Sequence, residues 1–384
     1  MTIEADRRAV LAGGLALGAM AMTRTAAPIG ELIYIGTQTG GIYSARFDPA
    51  AGKLSMIGRA AELGRANWAV NHPRLPIIYF AQGSRDSTLG PGAVIGFRID
   101  LGGGALNKWC EMSAGGTGTT YLAFDHLSNT ILGANFGGAQ IFAAPVKSDG
   151  TLGEVISQVA VSGSGPTRRQ ASAHPHSVAL DPSGRWLVAA DLGADRLWVF
   201  PFDRRTRQIG ADDAAASRHF ALPPGAGPRH ISFHPNGRSL YLVEELSADI
   251  VAFAWDAKAG RLAQVQRLST DDPAFTGTRS AAEVTVSRDG RFVYVSNRSD
   301  HMMVVYSVDS RSGRLKQLQR IAAGGTMPWH FAIHASNRWL IAANRDADTL
   351  AVFRINPRTG LLSDSNQRLA VPKPVFIDLV SRAR

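Results

Sequence analysis

The sequence contains a single cysteine, Cys110, among its 384 residues. One cysteine excludes an intrachain disulfide and any metal site built from several cysteines, and we expect Cys110 to be structural. Charged residues are also few, at 19%, and basic residues dominate, so the formal net charge is +10. A basic surface attracts acidic ligands. No run of Lys and Arg interleaved with aromatic residues is present, so we expect no nucleic-acid partner.

Several motifs that identify common enzyme classes are missing as well. The sequence has no G-x-S-x-G serine elbow, no H-E-x-x-H zinc helix, no phosphate-binding G-x-x-x-x-G-K-[ST] loop and no dinucleotide fingerprint. The pair His174 and His176 has a spacing that could hold a metal ion, but Pro175 between them and the arginines nearby disfavour it. We therefore expect neither a metal nor a cofactor.

Long apolar runs are confined to the N-terminus. Arg7 and Arg8 precede a Gly- and Ala-rich apolar run over residues 9–22, and small residues follow at 25–27. This order is typical of a secretory signal, and the paired arginines indicate the twin-arginine route to the periplasm or the medium. We expect residues 1–27 to be this signal and residues 28–384 to be one domain. No other run approaches the roughly 20 apolar residues of a membrane span.

The rest of the chain is dominated by an internal repeat of about fifty residues. Each copy has a polar turn, a glycine and then an aliphatic residue that opens a strand; Arg207 replaces the glycine in the fourth copy. A second turn-and-strand pattern occurs six times between these copies, as in residues 181–188 and 234–241. The aliphatic residues of the seven copies are Leu54, Leu106, Leu152, Ile209, Leu262, Leu315 and Leu362.

Seven units of four strands predict an all-β fold, a seven-bladed β-propeller. The second pattern occurs six times against seven copies of the first, and closure of the ring by the two chain ends accounts for the missing copy. Residues 32–35 form a second strand without a first strand, and residues 375–379 form a first strand without a second. Pairing the two would close the ring and remove two exposed sheet edges. We therefore expect these N- and C-terminal strands to be neighbours in one blade.

In a blade, residues just before the first strand and just after the second strand reach the same face of the disc. Polar residues are concentrated at these positions, and they suggest a site made of His, Arg and carboxylates. His72 and His234 occupy turns on the opposite face, so we expect them to be structural. The candidate substrate-binding residues on the loop face are His230, Glu283, His330, Asn297, Arg345 and Asp191.

Two segments of this face, SAHPHSV (172–178) and GPRHISFHPNG (227–237), make the chain similar to the β-propeller lactonase family. This family includes the 6-phosphogluconolactonases and the carboxy-muconate cycloisomerases, and the resemblance covers essentially all of residues 28–384. Two residues depart from the family pattern, Trp329 in place of an arginine and Glu244 in place of an asparagine, which weakens the expectation of a phosphorylated substrate. The catalytic residues that the resemblance implies are His176, His174, Arg229, Glu245 and Arg298.

The expected function is metal-independent hydrolysis of a sugar lactone, with 6-phosphogluconolactonase as the nearest named activity. His176 or His174 would activate water, Glu245 would orient that base, and Arg229 with Arg298 would bind the lactone carbonyl. The expected partner is a small anionic lactone, and we expect a monomer that does not span a membrane. Two alternatives stay open: a non-catalytic propeller that binds an acidic sugar or a protein, and a muconate-type cycloisomerase.

Overall fold

The computed structural model describes residues 30–83, 92–210 and 218–380, which fold into seven antiparallel sheets around a channel. This confirms the prediction of a seven-bladed β-propeller. The export signal predicted for residues 1–27 lies outside the described residues. Blade 1 contains β1 (Glu31–Thr37), β2 (Ile42–Asp48), β3 (Lys53–Ala61) and the final strand β29 (Pro374–Leu379); blade 2 contains β4 (Ala66–Asn71), β5 (Ile77–Gln82), β6 (Ala93–Ile99) and β7 (Leu106–Ser113); blade 3 contains β8 (Thr119–Asp125), β9 (Thr130–Asn135), β10 (Gln140–Pro145) and β11 (Ser157–Ala160).

The remaining blades follow in chain order, and one turn of 3-10 helix, Arg168–Gln170, precedes the first of them. Blade 4 contains β12 (Pro175–Leu180), β13 (Trp186–Asp191), β14 (Arg196–Asp203), β15 (Gln208–Ile209) and β16 (His219–Ala221); blade 5 contains β17 (Pro228–Phe233), β18 (Ser239–Glu244), β19 (Asp249–Asp256) and β20 (Arg261–Ser269); blade 6 contains β21 (Ala281–Val286), β22 (Phe292–Asn297), β23 (Met302–Val308) and β24 (Leu315–Ala322); blade 7 contains β25 (Pro328–Ile333), β26 (Trp339–Asn344), β27 (Thr349–Ile355) and β28 (Leu362–Ala370).

The ring is closed by the two ends of the chain, as predicted. Strand β29 pairs antiparallel with β1, with Tyr34 opposite Asp378 and Ile35 opposite Ile377. The backbone N–H of Val380 then donates to the carbonyl of Leu32 at 3.0 Å. The innermost strand of blade 1 is therefore the last strand of the chain, and β1 is paired on both sides instead of forming an open edge.

The backbone conformation of the turn explains why glycine recurs in the repeat. At Gly52 and Gly260, which precede the outermost strands of blades 1 and 5, φ is 68° and 64°. This left-handed region costs a residue with a Cβ atom more than it costs glycine. Arg207, the exception in the fourth copy, adopts φ 60° at the same place. The turn therefore requires this conformation in blade 4 too, although an arginine must adopt it.

The hydrophobic core is divided into seven clusters, each lying between two adjacent blades. The cluster between blades 7 and 1 contains Phe47 and Trp339, whose rings meet edge to face with centroids 6.0 Å apart. The indole N–H of Trp339 also donates to the carbonyl of Pro49 at 2.8 Å. Each blade thus depends on both neighbours for the burial of its two apolar faces.

The outer edges of blades 3 and 4 depart from the uniform repeat. Leu152 makes only an isolated bridge with Val146, and the outermost strand of blade 3 begins later, at Ser157. In blade 4 the outer position is shared by two short strands that both pair with β14. Outer strands cover the least core, so their pairing is the least constrained part of a blade. Within the described residues, no helix is long and apolar enough to cross a membrane.

Candidate active site

The innermost strands carry an irregularity near their first residue, and it directs side chains to one end of the channel. In blade 4, Pro175 pairs with Asp191 and Ser177 pairs with Ala190, so His176 between them has no partner. A bulge of this kind re-aims the extra side chain, and such bulges are frequent beside active sites. The residues that are skipped in this way and line the cavity are Asn67, Thr120, His176, Arg229, Trp329 and Val375.

A cavity of about 530 Å³ occupies this end of the channel. Besides the bulged residues, it is lined by residues that follow the second strands of blades 5 and 6, Glu245 and Arg298. The 3-10 turn ahead of blade 4 contributes Arg168 and Arg169. Part of the predicted loop face, contributed by several blades, therefore forms the wall of one cavity, and the volume of this cavity suits a small ligand.

Three guanidinium groups surround the buried carboxylate of Glu245. Arg229 donates from Nε to Oε2 at 3.0 Å, and Nη2 of Arg298 lies 3.2 Å from Oε1. Arg169 reaches the same carboxylate from the 3-10 turn and pairs with Oε1. The side chains of Arg229 and Arg298 are buried, whereas that of Arg169 is half exposed. The cluster therefore holds three cations against one anion.

This excess of positive charge sets the protonation of the cluster. Burial raises the pKa of Glu245, but Arg298, Arg169 and Arg229 together outweigh burial and hold that pKa well below its usual range. Burial lowers the pKa of Arg298 to about 10, and Glu245 only partly offsets the shift. Both groups remain charged at neutral pH. Glu245 is thus a fixed anion that anchors the arginines and is poorly suited to accept a proton.

The two histidines of the HPH segment both line the cavity, as expected from the sequence. Nε2 of His176 lies 3.9 Å from Oε2 of Glu245, beyond hydrogen-bond distance. Burial lowers the pKa of His176 well below its ordinary value, with Arg229 and His230 acting in the same direction. Its Nδ1 atom has no hydrogen-bond partner within the described residues.

His174 is held by its neighbour Phe136. The two rings stack with centroids 4.4 Å apart, and Nδ1 of His174 lies 2.9 Å from the carbonyl oxygen of Phe136. Because a carbonyl only accepts hydrogen bonds, Nδ1 carries the proton. The side chain of His174 is therefore fixed at the cavity wall as its Nδ1–H tautomer.

A second imidazole–carboxylate pair lies beside the arginine cluster. Nδ1 of His230 is 2.8 Å from Oε2 of Glu283, and Nε2 of His330 is 3.5 Å from the same oxygen. Burial lowers the pKa of His230 well below its ordinary value and that of His330 to about 4. Burial raises the pKa of Glu283, opposed by His330 and Arg229. His230 and His330 line the cavity, whereas Glu283 lies behind them.

Trp329 lies at the cavity wall and packs against the arginines. Its ring centroid lies 4.4 Å from Cζ of Arg298, 4.5 Å from Cζ of Arg345 and 5.9 Å from Cζ of Arg229. The negative face of an indole attracts guanidinium groups, more strongly when they are desolvated. Trp329 therefore helps to hold Arg298 in a cluster whose charges repel one another.

Besides Glu283, three more of the predicted binding residues do not line the cavity: Asp191, Asn297 and Arg345. Asp191 accepts hydrogen bonds from the backbone N–H groups of His174, Gly193 and Ala194 and from the indole of Trp198. Asn297 donates to Thr270 and Asp271 and accepts from the N–H groups of the following turn. Arg345 makes two hydrogen bonds to Asp346 and stands behind Trp329. These side chains shape the loops that carry the site.

The two histidines of the opposite face are structural, as predicted. Nδ1 of His72 accepts from the backbone N–H groups of Arg74 and Leu75. Nε2 of His234 lies 2.7 Å from the carbonyl oxygen of Gly290 in blade 6. Each imidazole thus completes the hydrogen bonds of a turn, far from the cavity wall.

Sequence reasoning missed Arg169 and Trp68. Arg169 lies in an inter-blade loop outside the repeat register, so position in the repeat could not place it. Trp68 follows the bulge of blade 2; its ring stacks on Tyr121 at 4.0 Å and meets His230 edge to face at 5.1 Å. An aligned repeat would have found it, because it occupies the register position of His230 and His330.

The cavity at one channel end of this seven-bladed propeller combines imidazole, guanidinium and carboxylate groups, which are the groups that an enzyme acting on a small molecule uses. Within the described residues, no group of three or more His, Cys, Asp or Glu is arranged to hold a metal ion. Residues 32–379 match the family model described as Lactonase, 7-bladed beta-propeller. The chain belongs to this family and is a lactone-hydrolysing enzyme.

Named relatives agree with this assignment. The 6-phosphogluconolactonase of Bacillus subtilis is 31% identical over 348 residues, which cover 90% of this chain and 97% of that protein. The structure of the periplasmic gluconolactonase of Pseudomonas aeruginosa has a TM-score of 0.83 and 30% identity, and the match covers 91% of this chain and 99% of that one. The 6-phosphogluconolactonase of Pectobacterium carotovorum is 28% identical, over 75% of this chain and 82% of that protein.

Proposed function

We propose that this enzyme opens a sugar-derived lactone that carries negative charge, and that it does so without a metal ion. The observation that carries the proposal is the imbalance at the cavity floor, where Arg169, Arg229 and Arg298 face the single carboxylate of Glu245. A desolvated excess of guanidinium charge favours an anionic ligand and an anionic transition state. A neutral lactone would gain only from the stabilisation of the anionic transition state.

The arginines suit the charge that develops during ring opening. Attack of water on the lactone carbonyl moves negative charge onto the carbonyl oxygen, and donors that are already in place stabilise it. Arg229 uses Nε for Glu245 and Nη1 for the carbonyl of Ala282, at 3.0 and 2.5 Å. These contacts fix the plane of the guanidinium. Nη2 makes no further hydrogen bond within the described residues, so it is available to the substrate.

A neutral imidazole takes the proton of the attacking water. The family resemblance gives this role to His176 or His174, with Glu245 as the orienting carboxylate. Catalytic hydrogen bonds are often long in ligand-free structures, so the 3.9 Å between His176 and Glu245 does not by itself remove this pair. The proton then passes to the ring oxygen as its bond to the carbonyl carbon breaks, and the product is a hydroxy acid.

The anionic group of the substrate is a carboxylate or a phosphate, and the second is disfavoured by two observations. Relatives are named for a phosphorylated lactone and for gluconolactone. Trp329 lines the cavity where the family pattern has an arginine, which leaves one cation fewer for a phosphate. Export to the periplasm, which we propose from Arg7 and Arg8 and from the periplasmic neighbour, also favours a lactone without a phosphate.

Acid release from purified mature protein tests the proposal. Glucono-δ-lactone and its 6-phosphate are supplied separately, with and without EDTA, and the spontaneous rate is subtracted. We expect saturable hydrolysis of at least one of them, unchanged by EDTA. Binding without turnover would contradict the enzymatic part and support a binding module. Loss of activity with EDTA, restored by a divalent metal, would contradict the metal-independent part alone.

A further inference from the structure

Two imidazole–carboxylate pairs line or underlie the cavity, and their geometries differ. His230 approaches Glu283 to 2.8 Å, a hydrogen bond, whereas His176 approaches Glu245 to 3.9 Å. Glu245 is already shared by three guanidinium groups. Among the described residues, the ion-pair partners of Glu283 are the two histidines His230 and His330. Of these two pairs at the cavity, His230 and Glu283 have the hydrogen-bond contact that can orient a catalytic histidine.

Hydrogen bonds around Glu283 determine the tautomer of both histidines beside it. The backbone N–H of Ile377 donates to Nδ1 of His330 at 3.2 Å, so neutral His330 carries its proton on Nε2, which faces Glu283. Oε1 of Glu283 accepts from the N–H of Val284 at 3.0 Å. Burial raises the pKa of Glu283, but the N–H of Val284, Nε2–H of His330 and the charge of Arg229 favour the ionised acceptor, to which His230 donates from Nδ1.

Because Nδ1 of His230 carries the proton, Nε2 is the ring nitrogen whose lone pair can accept one. Nη1 of Arg229 lies 3.3 Å from Nδ1 and 3.2 Å from Nε2 of His230. Two nearly equal distances place Nη1 over the ring, because a position in the ring plane would collide with the carbon between the nitrogens. The lone pair of Nε2 lies in the ring plane, so Arg229 does not occupy it.

The ring of His230 is also fixed by packing. Trp68, Tyr121 and His176 each meet it edge to face, all with centroids 5.1 Å away. Fixed orientation is what a general base needs, since proton transfer requires the water within hydrogen-bond reach. His230 lies on the cavity wall, beside the two buried arginines that are suited to the developing oxyanion.

We propose that His230 is the general base of the lactonase reaction and that Glu283 is its positioning residue. This proposal rests on the proposed function and assigns the role of general base to His230 instead of His176 or His174. Nε2 of His230 takes a proton from water as the water oxygen bonds to the carbonyl carbon. The imidazolium then returns that proton to the ring oxygen as the carbon–oxygen bond breaks. Glu283 stays ionised throughout and stabilises the imidazolium.

The test compares kcat and KM of His230→Ala, Glu283→Gln and His176→Ala on the lactone that the wild type hydrolyses best. His126→Gln is the matched control, because His126 is an exposed histidine in a turn of the opposite face. Loss of a general base costs about 10²–10⁴ in rate, so we expect His230→Ala to lose that much in kcat with KM nearly unchanged. Glu283→Gln should lose at least about tenfold in kcat, since an amide can impose the wrong tautomer.

Chemical rescue separates catalysis from folding. Added imidazole should restore part of the kcat of His230→Ala after the uncatalysed imidazole rate is subtracted, and a merely structural histidine would show no such effect. The proposal is overturned if His230→Ala keeps kcat within about threefold while His176→Ala loses more than about a hundredfold, or if folded His230→Ala is inactive and imidazole restores nothing. A wild type that hydrolyses no lactone would instead contradict the proposed function itself.

Discussion

The side chains of Glu245 and Arg298 meet beneath the cavity, with Nη2 of Arg298 3.2 Å from Oε1 of Glu245, although they belong to adjacent blades. Each follows the second strand of its blade, so the repeat brings both to the same face. Both are buried, and burial of an ion pair costs free energy that only good partners recover. The arginine cluster is therefore sensitive to the loss of the Glu245 carboxylate.

Glu245→Gln should destabilise the protein more than Arg298→Ala does. The glutamine would leave three guanidinium groups without their carboxylate, and removing one partner of a buried pair costs about 3–5 kcal/mol. Arg298→Ala removes one of three cations and leaves two for the carboxylate, so we expect its melting temperature to stay within a few degrees of wild type. Thermal unfolding at pH 7 measures both. If Arg298→Ala lowered the melting temperature as much as Glu245→Gln or more, the excess of cations over the Glu245 carboxylate would not explain the stability of the cluster.

The pH dependence of this difference follows from the lowered pKa of Glu245. A carboxyl whose pKa is lower in the folded protein stabilises it above the unfolded pKa, about 4.3, and loses the contribution as pH falls through the folded value. The gap between wild type and Glu245→Gln should therefore be level from pH 6 to 8 and shrink only below about pH 4.3. A gap that shrinks already near pH 6 would assign the effect to a histidine.

The pH dependence of kcat/KM should reflect the lowered pKa values of the buried histidines. Burial holds the pKa of His230 and of His176 well below 6.5, so either base is neutral in the free enzyme at all pH values above its lowered pKa. We expect kcat/KM, corrected for alkaline hydrolysis of the lactone, to be level from about pH 8 to 6.5 and to fall only at lower pH. An acid limb centred at about 6.5 would indicate a solvated histidine instead.

Closure of the ring makes the C-terminal strand essential for folding. Deletion of residues 375–384 removes most of β29, which pairs with β1 and carries Phe376 and Ile377 into the cores on its two sides. We expect this protein to be insoluble, because β1 would become an exposed edge next to two open cores. Deletion of residues 381–384 alone is the matched control and should leave solubility unchanged. A soluble 375–384 deletion with the wild-type melting temperature would refute the role given to closure.

Much of the fold was predictable because its cause repeats. The turn of each repeat is left-handed and favours glycine, so glycine occurs in six of the seven copies, and Arg207 in the remaining copy adopts φ 60°. The mismatch between six and seven turns predicted the pairing of β1 with β29. The outer edges of blades 3 and 4 were not predictable, since outer strands bury little and tolerate irregular pairing.

The site was predictable in position and less so in its contacts. Register placed Arg229, Glu245 and Arg298 on one face, because the residues bordering equivalent strands share an end of the disc. Asp191 was misleading for the same reason, since a polar residue at that position can as well cap the backbone of a loop. The contact of His230 with Glu283 depends on side-chain direction at two bulges, which no repeat count reveals.

Lactone hydrolysis depends on the arginine cluster, and kcat/KM of Arg229→Ala and Arg298→Ala on the best lactone tests this dependence most directly. Each variant removes a positioned donor, so we expect losses of about 10²–10³ with folded protein. The imidazole of His234 stabilises a turn by its contact with the carbonyl of Gly290. His234→Ala should therefore lower the melting temperature and leave kcat/KM unchanged. Values of kcat/KM within about threefold of wild type in both arginine variants would contradict the claim that lactone hydrolysis takes place in this cavity.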